Sequence, residues 1–317
     1  MSNRSKSRKK TPWDGLNELT ETQEFLQMHY VRRYDERHSK LIDTGEAKMI
    51  NSFAPDLCPF CHTEQFVKIG FDPNGIQRYK CQCGNSFKPT TGTIFDSRRL
   101  GICEWIEYCL NIFRYVSLNA DSWNNRNAIS TSKYWLEKLF LTLKDSQSSV
   151  VLSGTIWLDE TYYSVIMGDR VRDGNGHLLR GLSRNQICIA TAADRRRIFC
   201  KVEGIGQPTS EETLEIFKGH IKKRSTLIHD GDPAHNSLVK KLSLKEEVYY
   251  TDDTKGLSDE ENPLDRINDV HSLLQYFLNS HSGFIRKYTD DYLNLFVFIM
   301  NPPHNKLQKP IPSITSH

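Results

Sequence analysis

The period of the hydrophobic positions changes near residue 150. Before that point, apolar residues from Cys103 to Val116 recur at helical spacing, and a second, aromatic and basic helix is expected to begin at Ser130 or Thr131. After it, short apolar runs bounded by polar turns predict strands at 155–166, 187–194, 197–206, 225–232 and 247–250. Helices are predicted at 209–221, 234–242, 266–281 and 290–300. This order predicts an α/β domain in the second half of the chain.

The predicted helix 266–281 has an unusual polar flank. Its apolar stripe consists of Ile267, Val270, Leu274, Phe277 and Leu278. On one edge of that stripe stand three polar residues at i, i+3 and i+7, namely Asn268, His271 and Gln275. His271 is therefore either a hydrogen-bonded core histidine or a ligand that faces a site on the sheet.

Residues 54–100 differ in composition from the rest of the chain. Cys58 and Cys61 form C-x2-C, whereas Cys81 and Cys83 form a tighter C-x-C that is followed by Gly84. Short alternating segments with a turn at "DPNG" separate the two pairs, so a hairpin would bring four thiolates together as a closed zinc site. Four buried cysteines that bind nothing and an iron–sulfur cluster are the alternatives; the ribbon-like spacing favours zinc.

Two acids close apolar runs in the α/β half. Asp159 follows Ile156-Trp157-Leu158, and Asp230 follows Leu227-Ile228-His229. An acid at the end of a buried strand costs free energy unless it binds something, and two acids on adjacent strands favour a cation between them. The alternative to a cation site is that both acids lie at strand ends and simply face solvent. Glu160 is expected on the opposite sheet face, Asp269 points away from the stripe, and Asp232 is the rival ligand to Asp230.

Composition and charge add limits on compartment and partners. The chain has 317 residues, 38% hydrophobic and 26% charged, with a formal net charge of +3. No apolar run is long enough to span a membrane, and no secretory signal follows the basic start. One cysteine cluster and scattered single thiols indicate a reducing compartment. The small net charge means that nucleic-acid affinity must come from local patches.

Basic and polar residues supply candidate DNA contacts. The basic arm, residues 1–10, is either disordered or lies on DNA phosphates. A charged loop in the second half of the chain either forms part of a DNA channel or is simply solvated; its charged residues are Asp169, Arg170, Arg172, Arg180 and Arg184. Helices at 103–143 could form a helix-turn-helix that offers Asn124, Asn125, Arg126, Asn127, Ser130, Ser132 and Lys133. The proposed DNA-binding residues are Lys68, Arg78, Lys80, Lys88, Arg126, Lys133 and Asn268. "KDSQSS" at 144–149 has the composition of a linker.

Four motifs in order carry a family resemblance. They are a zinc ribbon ending in "GIQRYKCQCGNSFKPTTGTIF", then "IWLDETYYSV", "STLIHDGDPAHNSLV" and "NPLDRINDVHSLLQYF". The chain, over roughly residues 55–300, resembles an insertion-sequence transposase of the DDE type with an N-terminal zinc ribbon (the ISXO-type group). In that family the third metal ligand, Glu or His, follows an asparagine by three positions on a helix, and Asn268 and His271 match this spacing.

The resemblance implies a fold, a reaction and a set of partners. The fold class expected is α/β, an RNase-H-like mixed sheet with flanking helices, preceded by a zinc ribbon and a helical, helix-turn-helix-like region. Asp159, Asp230 and His271 would hold two catalytic ions, Mg²⁺ or Mn²⁺, and structural Zn²⁺ would be held by the four cysteines. A histidine ligand predicts preference for Mn²⁺. Gln275 stands where a basic residue that meets DNA is expected.

The expected function is DNA transposition. The enzyme would bind the terminal inverted repeats, cleave there and join the 3′-OH to target DNA, as a homo-oligomer on double-stranded DNA, without a membrane, in the bacterial cytoplasm at the nucleoid. A catalytically inactive, domesticated or decayed zinc-ribbon DNA-binding protein and a nuclease without strand transfer are the alternatives. The expected divisions are a basic arm and helical region (1–53), zinc ribbon (54–100), helical DNA-binding region (101–148), catalytic domain (149–303) and tail (304–317).

Overall fold

The chain divides into two compact units, one within residues 1–142 and the other within residues 143–309. The computed structural model describes residues 20–26, 28, 45–96, 101–125, 127–165, 170–179, 184–281 and 284–304. The predicted basic arm, much of the helical region expected within residues 1–53 and nearly all of the tail lie outside these residues. Residues 21–26 are helical. No helix among the described residues combines the length and the apolar character that a membrane span requires.

The first unit contains a small antiparallel sheet. Its strands are β1 (Phe66–Phe71), β2 (Gln77–Cys81) and β3 (Ser86–Phe87), in the order β1-β2-β3. The turn predicted at "DPNG" joins β1 to β2, and it forms because the Asp72 carboxylate accepts the backbone N–H groups of Asn74 and Ile76 at 2.9 and 3.0 Å. Helix α1 (Glu46–Asn51) precedes the sheet.

Three helices complete the first unit. They are α2 (Ile102–Phe113), α3 (Leu118–Asn124) and α4 (Ile129–Leu143). The buried carboxylate of Asp121 joins them, because it accepts Asn111 Nδ2 of α2 at 3.0 Å and Ser132 Oγ of α4 at 2.7 Å. Burial raises the pKa of Asp121 despite these hydrogen bonds. The periodicity of apolar and aromatic residues predicted two of these helices, α2 and α4. Helix α4 begins within one or two residues of the predicted start.

The second unit is built on a five-stranded mixed sheet. Its strands are β4 (Thr155–Ser164), β5 (Gln186–Ala193), β6 (Ile198–Ile205), β7 (Thr226–His229) and β8 (Lys245–Val248), in the order β6-β5-β4-β7-β8. β4, β5 and β6 are antiparallel, whereas β7 and β8 run parallel to β4 and to each other. This topology is compatible with the RNase-H-like fold expected from the sequence.

Helices cover both faces of this sheet. They are α5 (Ser210–Phe217), α6 (Asn236–Leu242), the short α7 (Thr251–Thr254), α8 (Asp265–Ser280) and α9 (Thr289–Met300). A capping box formed by Thr209 and Glu212 starts α5, where a helix was predicted at 209–221. The apolar stripe predicted for α8 is fully buried, and α8 packs on β4 and β5.

Alternation along β4 decides which side chains meet which helices. Ile156 and Leu158 share one buried core with α5 and α6. Trp157, Asp159 and Thr161 project to the opposite face, which α8 covers. Any polar group that α8 presents to the sheet therefore meets the Asp159 side of β4.

The outer edge of β6 is satisfied by side-chain amides. Gln147 accepts the Cys200 N–H at 3.0 Å and donates to the Cys200 carbonyl at 2.8 Å. Asn301 does the same for Ile198, at 2.7 and 3.0 Å. The prediction that residues 144–149 are a linker is therefore wrong in one respect: Gln147 is buried and bonded to the sheet. Composition alone cannot show such a long-range partner.

Candidate active site

The strand register brings the two predicted acids together. Trp157 of β4 pairs in parallel with Ile228 of β7, so continuing that register by two residues places Asp159 beside Asp230, the residue that follows β7. Neighbouring strands lie about 4.8 Å apart. Asp159 and Asp230 are therefore adjacent at the level where β7 ends, as the sequence indicated.

Helix α8 adds His271 to this pair. The His271 Nδ1 atom lies 3.7 Å from Asp159 Oδ2, and the two side chains are 15% and 25% exposed. His271 Nε2 is buried and has no hydrogen-bond partner among the described residues. An unpaired ring nitrogen does not by itself separate the ligand interpretation from the core one, because both ring nitrogens of the buried His281 also have no partner among the described residues.

A ladder of polar contacts fixes α8 along β4. Gln275 Nε2 donates to Thr161 Oγ1 at 3.1 Å and to the Tyr162 carbonyl at 3.2 Å. One turn further, the Asn279 side chain meets Tyr163 Oη at 3.4 Å. Four helical residues advance about 6.0 Å and two strand residues about 6.6 Å, so successive turns of α8 meet alternate residues of β4. The Gln275 side chain therefore holds α8 against β4, and contact of this position with DNA stays a prediction.

Burial and neighbouring charges shift the protonation of these groups. Burial, with the charges of Glu160 and Asp230, raises the pKa of Asp159 to about 7. Burial lowers the pKa of His271 to about 4, so its imidazole is neutral at pH 7. Two repelling acids and a neutral imidazole form a donor set that a divalent cation would satisfy.

The rival acids are placed elsewhere. Glu160 faces the opposite side of the sheet, as alternation predicts, where its Oε1 lies 3.0 Å from His235 Nε2. Asp232 accepts the Ala234 N–H at 2.8 Å and so caps the short 3-10 turn Pro233–His235. Asp269 is exposed on α8. Among the predicted acids, Asp159 is the one that contacts His271.

Two histidines that the sequence reading did not select lie beneath the acids. The side chains of His229 and His235 are 1% and 0% exposed, and their Nδ1 atoms are 2.8 Å apart. His229, Asp230 and His235 have ligand atoms within 4.8 Å of one another. Alternation could have found His229, because it shares the face of buried Leu227 and a buried imidazole requires a partner.

The four predicted zinc ligands converge in the first unit. Cys58 Sγ lies 3.9 Å from Cys83 Sγ, Cys61 Sγ lies 3.5 Å from Cys81 Sγ, and all four sulfurs lie within 4.8 Å of one another. Tetrahedral zinc at 2.3 Å from each sulfur requires sulfur separations of about 3.8 Å. The cluster therefore could hold a zinc ion, and the C-x-C pair does not prevent it.

The turns after the cysteine pairs explain how this spacing is reached. The residue after each cysteine pair has a left-handed backbone conformation. After the second pair this residue is Gly84, with φ +89, and after the first pair it is the larger His62, with φ +56. The Cys83 N–H donates to Cys81 Sγ at 3.5 Å. Hydrogen bonding from Asn85, chiefly from its backbone, lowers the pKa of Cys83 to about 6, which favours the thiolate that zinc binds.

The predicted DNA contacts differ in their availability. Lys68, Arg78, Lys80, Lys133 and Asn268 are exposed. Lys80 Nζ donates to the Gly84 carbonyl at 2.5 Å, and Lys88 pairs with Asp72 at 3.0 Å. Arg126, Asp169 and Arg180 lie outside the described residues.

Part of the predicted helix-turn-helix surface is interior. Asn125, Asn127 and Ser132 are buried. Asn125 Nδ2 and Ser132 Oγ both donate to the Asp121 carboxylate, at 2.7 Å each. These three residues are therefore not available to DNA, because their polar side chains serve the interior of the helical region.

Comparisons with known proteins place the second unit in a family. Residues 151–301 match the family model described as "ISXO2-like transposase domain". The cryo-EM structure of the simian T-cell lymphotropic virus intasome in complex with PP2A regulatory subunit B56 gamma is similar over 62% of this chain and 68% of that one, at 11% identity and a TM-score of 0.31. The search of curated proteins gives no match.

Proposed function

Because the chain carries an ISXO2-like transposase domain at residues 151–301, and is thus an insertion-sequence transposase of the ISXO type, we propose that Asp159, Asp230 and His271 form its catalytic centre. The reaction is metal-dependent cleavage of DNA at the terminal inverted repeats, followed by joining of the 3′-OH to target DNA. The observation that supports this most is the approach of His271 Nδ1 to Asp159 at 3.7 Å, beside Asp230. We infer an RNase-H-like fold for the unit, because its strand order and this arrangement are compatible with one.

The roles of the three side chains follow from their chemistry. Bound divalent ions, Mg²⁺ or Mn²⁺, would activate the attacking oxygen and stabilise the leaving one. Asp159 and Asp230 would hold them, and ligation would offset the burial and repulsion that raise the pKa of Asp159. Neutral His271 would donate the Nδ1 lone pair, and Gln275 would keep α8 in register with β4.

The first unit would supply DNA affinity. Zinc held by Cys58, Cys61, Cys81 and Cys83 would fix the ribbon, whose exposed Lys68, Arg78 and Lys80 would contact phosphates. Lys133 on α4 and Asn268 on α8 are further exposed contacts, and Lys88 and Arg126 complete the proposed set. The two ends of the element must be handled together, so the active form would be a homo-oligomer on DNA.

Substitution of the two acids tests the centre. The full-length protein is incubated with labelled terminal-repeat duplex, a target plasmid and Mn²⁺. Asp159→Asn and Asp230→Asn are each expected to reduce cleavage by on the order of 10²–10³-fold, because each removes an anionic group that positions charge at the reacting phosphate. DNA affinity in the absence of metal should remain at the wild-type value.

The matched control is Asp269→Asn, which removes an exposed carboxylate from the same helix. Cleavage by either Asp159→Asn or Asp230→Asn at the Asp269→Asn rate would contradict the proposal. Cleavage without joined product would indicate a nuclease, and repeat binding without any cleavage would indicate a DNA-binding protein only.

A further inference from the structure

The sheet face opposite the acids carries a continuous chain of hydrogen bonds across three strands. Glu160 of β4 meets His235 Nε2 at 3.0 Å, His235 Nδ1 meets His229 Nδ1 at 2.8 Å, and His229 Nε2 meets Glu246 of β8 at 3.1 Å. The strands β4, β7 and β8 are neighbours in that order. Glu160 adjoins Asp159 in sequence and His229 adjoins Asp230.

The protons in this chain can be assigned from the donors. The Gly231 N–H donates to His229 Nδ1 at 3.1 Å, so that nitrogen is an acceptor. His235 Nδ1 must then donate to it, and His229 Nε2 donates to Glu246. His235 Nε2 lies 3.0 Å from Glu160 Oε1, and a proton on either group completes this hydrogen bond. All four ring nitrogens are thereby paired, so a metal ion between the two imidazoles is not required.

The electrostatics agree with this assignment. Burial acts to lower the pKa of His235, but the hydrogen bond and charge of Glu160 raise it above its ordinary value. Burial, followed by the nearby charge of His235, lowers the pKa of His229. The Glu160 carboxyl is thus the group that compensates the burial of the His235 imidazole.

The turn that carries Asp230 has little freedom. Asp230 Oδ1 accepts the Asp232 N–H at 3.0 Å. Gly231 adopts φ +89, and a Cβ there would lie 2.7 Å from Tyr250 Cε1 and 2.8 Å from Val248 Cγ1. The His235 side chain returns from the end of this turn to β4, so it joins the Asp230 turn directly to the strand that holds Asp159.

We propose that His235 is a positioning residue, which fixes the separation of Asp159 and Asp230 by tying the Asp230 turn to Glu160 and His229. The inference rests on the proposed function, because it supposes that the two acids bind metal together. His235 does not touch the metal or the DNA; it limits how far β4 and the turn after β7 can separate. Outer partners of this kind typically change metal affinity by about 10–100-fold.

The test measures the Mn²⁺ affinity of the zinc-loaded full-length chain. The concentration of free Mn²⁺ is determined from its electron paramagnetic resonance signal. His235→Ala is expected to weaken binding by about 10–100-fold. His235→Gln, whose amide can still reach Glu160, should recover most of the loss, whereas the shorter His235→Asn should not. If His235→Ala does not fold, the comparison of the Gln and Asn variants still decides the question.

The sign of the effect separates positioning from charge. Whether the His235 side chain is neutral or cationic, its removal cannot weaken divalent-cation binding through charge alone. A weaker affinity therefore reports lost position. The control is His281→Ala, which removes another buried imidazole, packed against Phe277 and Tyr292; it should lower Tm and leave the Mn²⁺ affinity unchanged.

The outcomes distinguish the two proposals. Wild-type affinity in His235→Ala, with binding abolished in Asp159→Asn, overturns the positioning role and leaves the catalytic centre intact. Equal losses of affinity in His235→Ala and His281→Ala also overturn it, because any loss of stability would then suffice. Wild-type affinity in both Asp159→Asn and Asp230→Asn removes the catalytic proposal itself, and the positioning role with it.

Discussion

At the scale of single residues, alternation along β4 separates two kinds of acid. Asp159 faces His271, while Glu160 faces a buried polar region that also contains Glu203 of β6. Glu203 accepts Thr213 Oγ1 at 2.5 Å and Cys188 Sγ at 3.7 Å. Burial, reinforced by the charge of Glu160, raises its pKa from 4.5 to about 7. Protonated Glu203 is therefore the form that the fold prefers.

This raised pKa makes stability depend on pH in a defined direction. A carboxyl whose pKa is higher in the folded state stabilises the protein fully below its unfolded pKa, and the contribution is lost as pH rises through about 7. Glu203→Gln has no charge to bury, so it should match the wild type near pH 4.5 and exceed it at pH 8.5. The expected gain is about 2 kcal/mol after allowance for solvent screening.

Thermal unfolding of both proteins at the two pH values measures this gain. Glu211→Gln, at an exposed position of α5, is the control and should not change the difference in Tm between the two pH values. A Glu203→Gln variant whose Tm falls with pH as steeply as that of the wild type would show that Glu203 is ionised at no cost.

The sequence located single site residues only where a pattern marked them. Asp159 and Asp230 stood out because each ends an apolar run, and His271 because it flanks an amphipathic stripe. His235 has no such mark, since it follows a Pro-Ala turn and its partners lie on two other segments. A contact between residues far apart in sequence leaves no periodic signal, so the polar chain beneath the acids could not be predicted.

At the scale of elements, the edge of β6 shows how the sheet ends. An unpaired strand edge invites pairing with another chain. Here Asn301, just after α9, pairs with Ile198, Gln147 pairs with Cys200, and Asp290 accepts the Val202 N–H at 2.9 Å. Side chains from two distant segments therefore take the place of a sixth strand along this edge.

Loss of one of these amides should weaken the edge measurably. Asn301→Ala leaves the N–H and carbonyl of Ile198 without side-chain partners, so unfolding should become easier by about 1–3 kcal/mol, with Tm lower by roughly 3–8 °C. Hydrogen exchange of the Ile198 amide should accelerate more than that of amides in β4. Asn236→Ala, at an exposed position of α6, is the control, and equal effects of the two variants would exclude a special role for Asn301.

Element types followed from the sequence more fully than their partners did. The periodicity correctly predicted the positions of strands β4 to β7 and of helices α5, α6, α8 and α9. A buried face recurs at every second residue of a strand and at every third or fourth residue of a helix, so it can be recognised from the local sequence. The buried position of Gln147 and the interior role of Asn125 were not foreseen. Both depend on neighbours supplied by tertiary packing, which composition does not encode.

At the scale of the whole molecule, the two units differ in what stabilises them. The second unit has a large apolar core on each side of its sheet. The cysteine-bearing sheet of the first unit has a core of only Cys58, Tyr79, Cys81 and Phe87, with Phe66 packed against it. A core of that size rarely holds a fold without a metal or a disulfide.

Zinc removal should therefore unfold one part of the molecule selectively. A strong chelator is expected to expose the amides of residues 58–87 to hydrogen exchange while those of β4 to β8 keep their protection. Binding of DNA should be lost together with the ribbon. Native mass spectrometry should find one zinc per chain in the wild type and none in Cys61→Ser.

Cys109→Ser provides the control, because that thiol is buried in α2 and lies outside the cluster; it should retain zinc. Retained protection of residues 58–87 after complete removal of the metal would show that the sheet folds without it. The divisions expected at residues 53, 100 and 148 stay predictions, and the separation of the two units near residue 142 is the boundary that the structure gives.

The matched steps of α8 and β4 limit how this protein can change its length. Three side chains of the helix, His271, Gln275 and Asn279, meet three of the strand in one common phase. Gain or loss of a single codon in either segment would put all three pairs out of phase at once. Mutational drift can therefore lengthen the surface loops freely, but it can alter these two segments only by substitution.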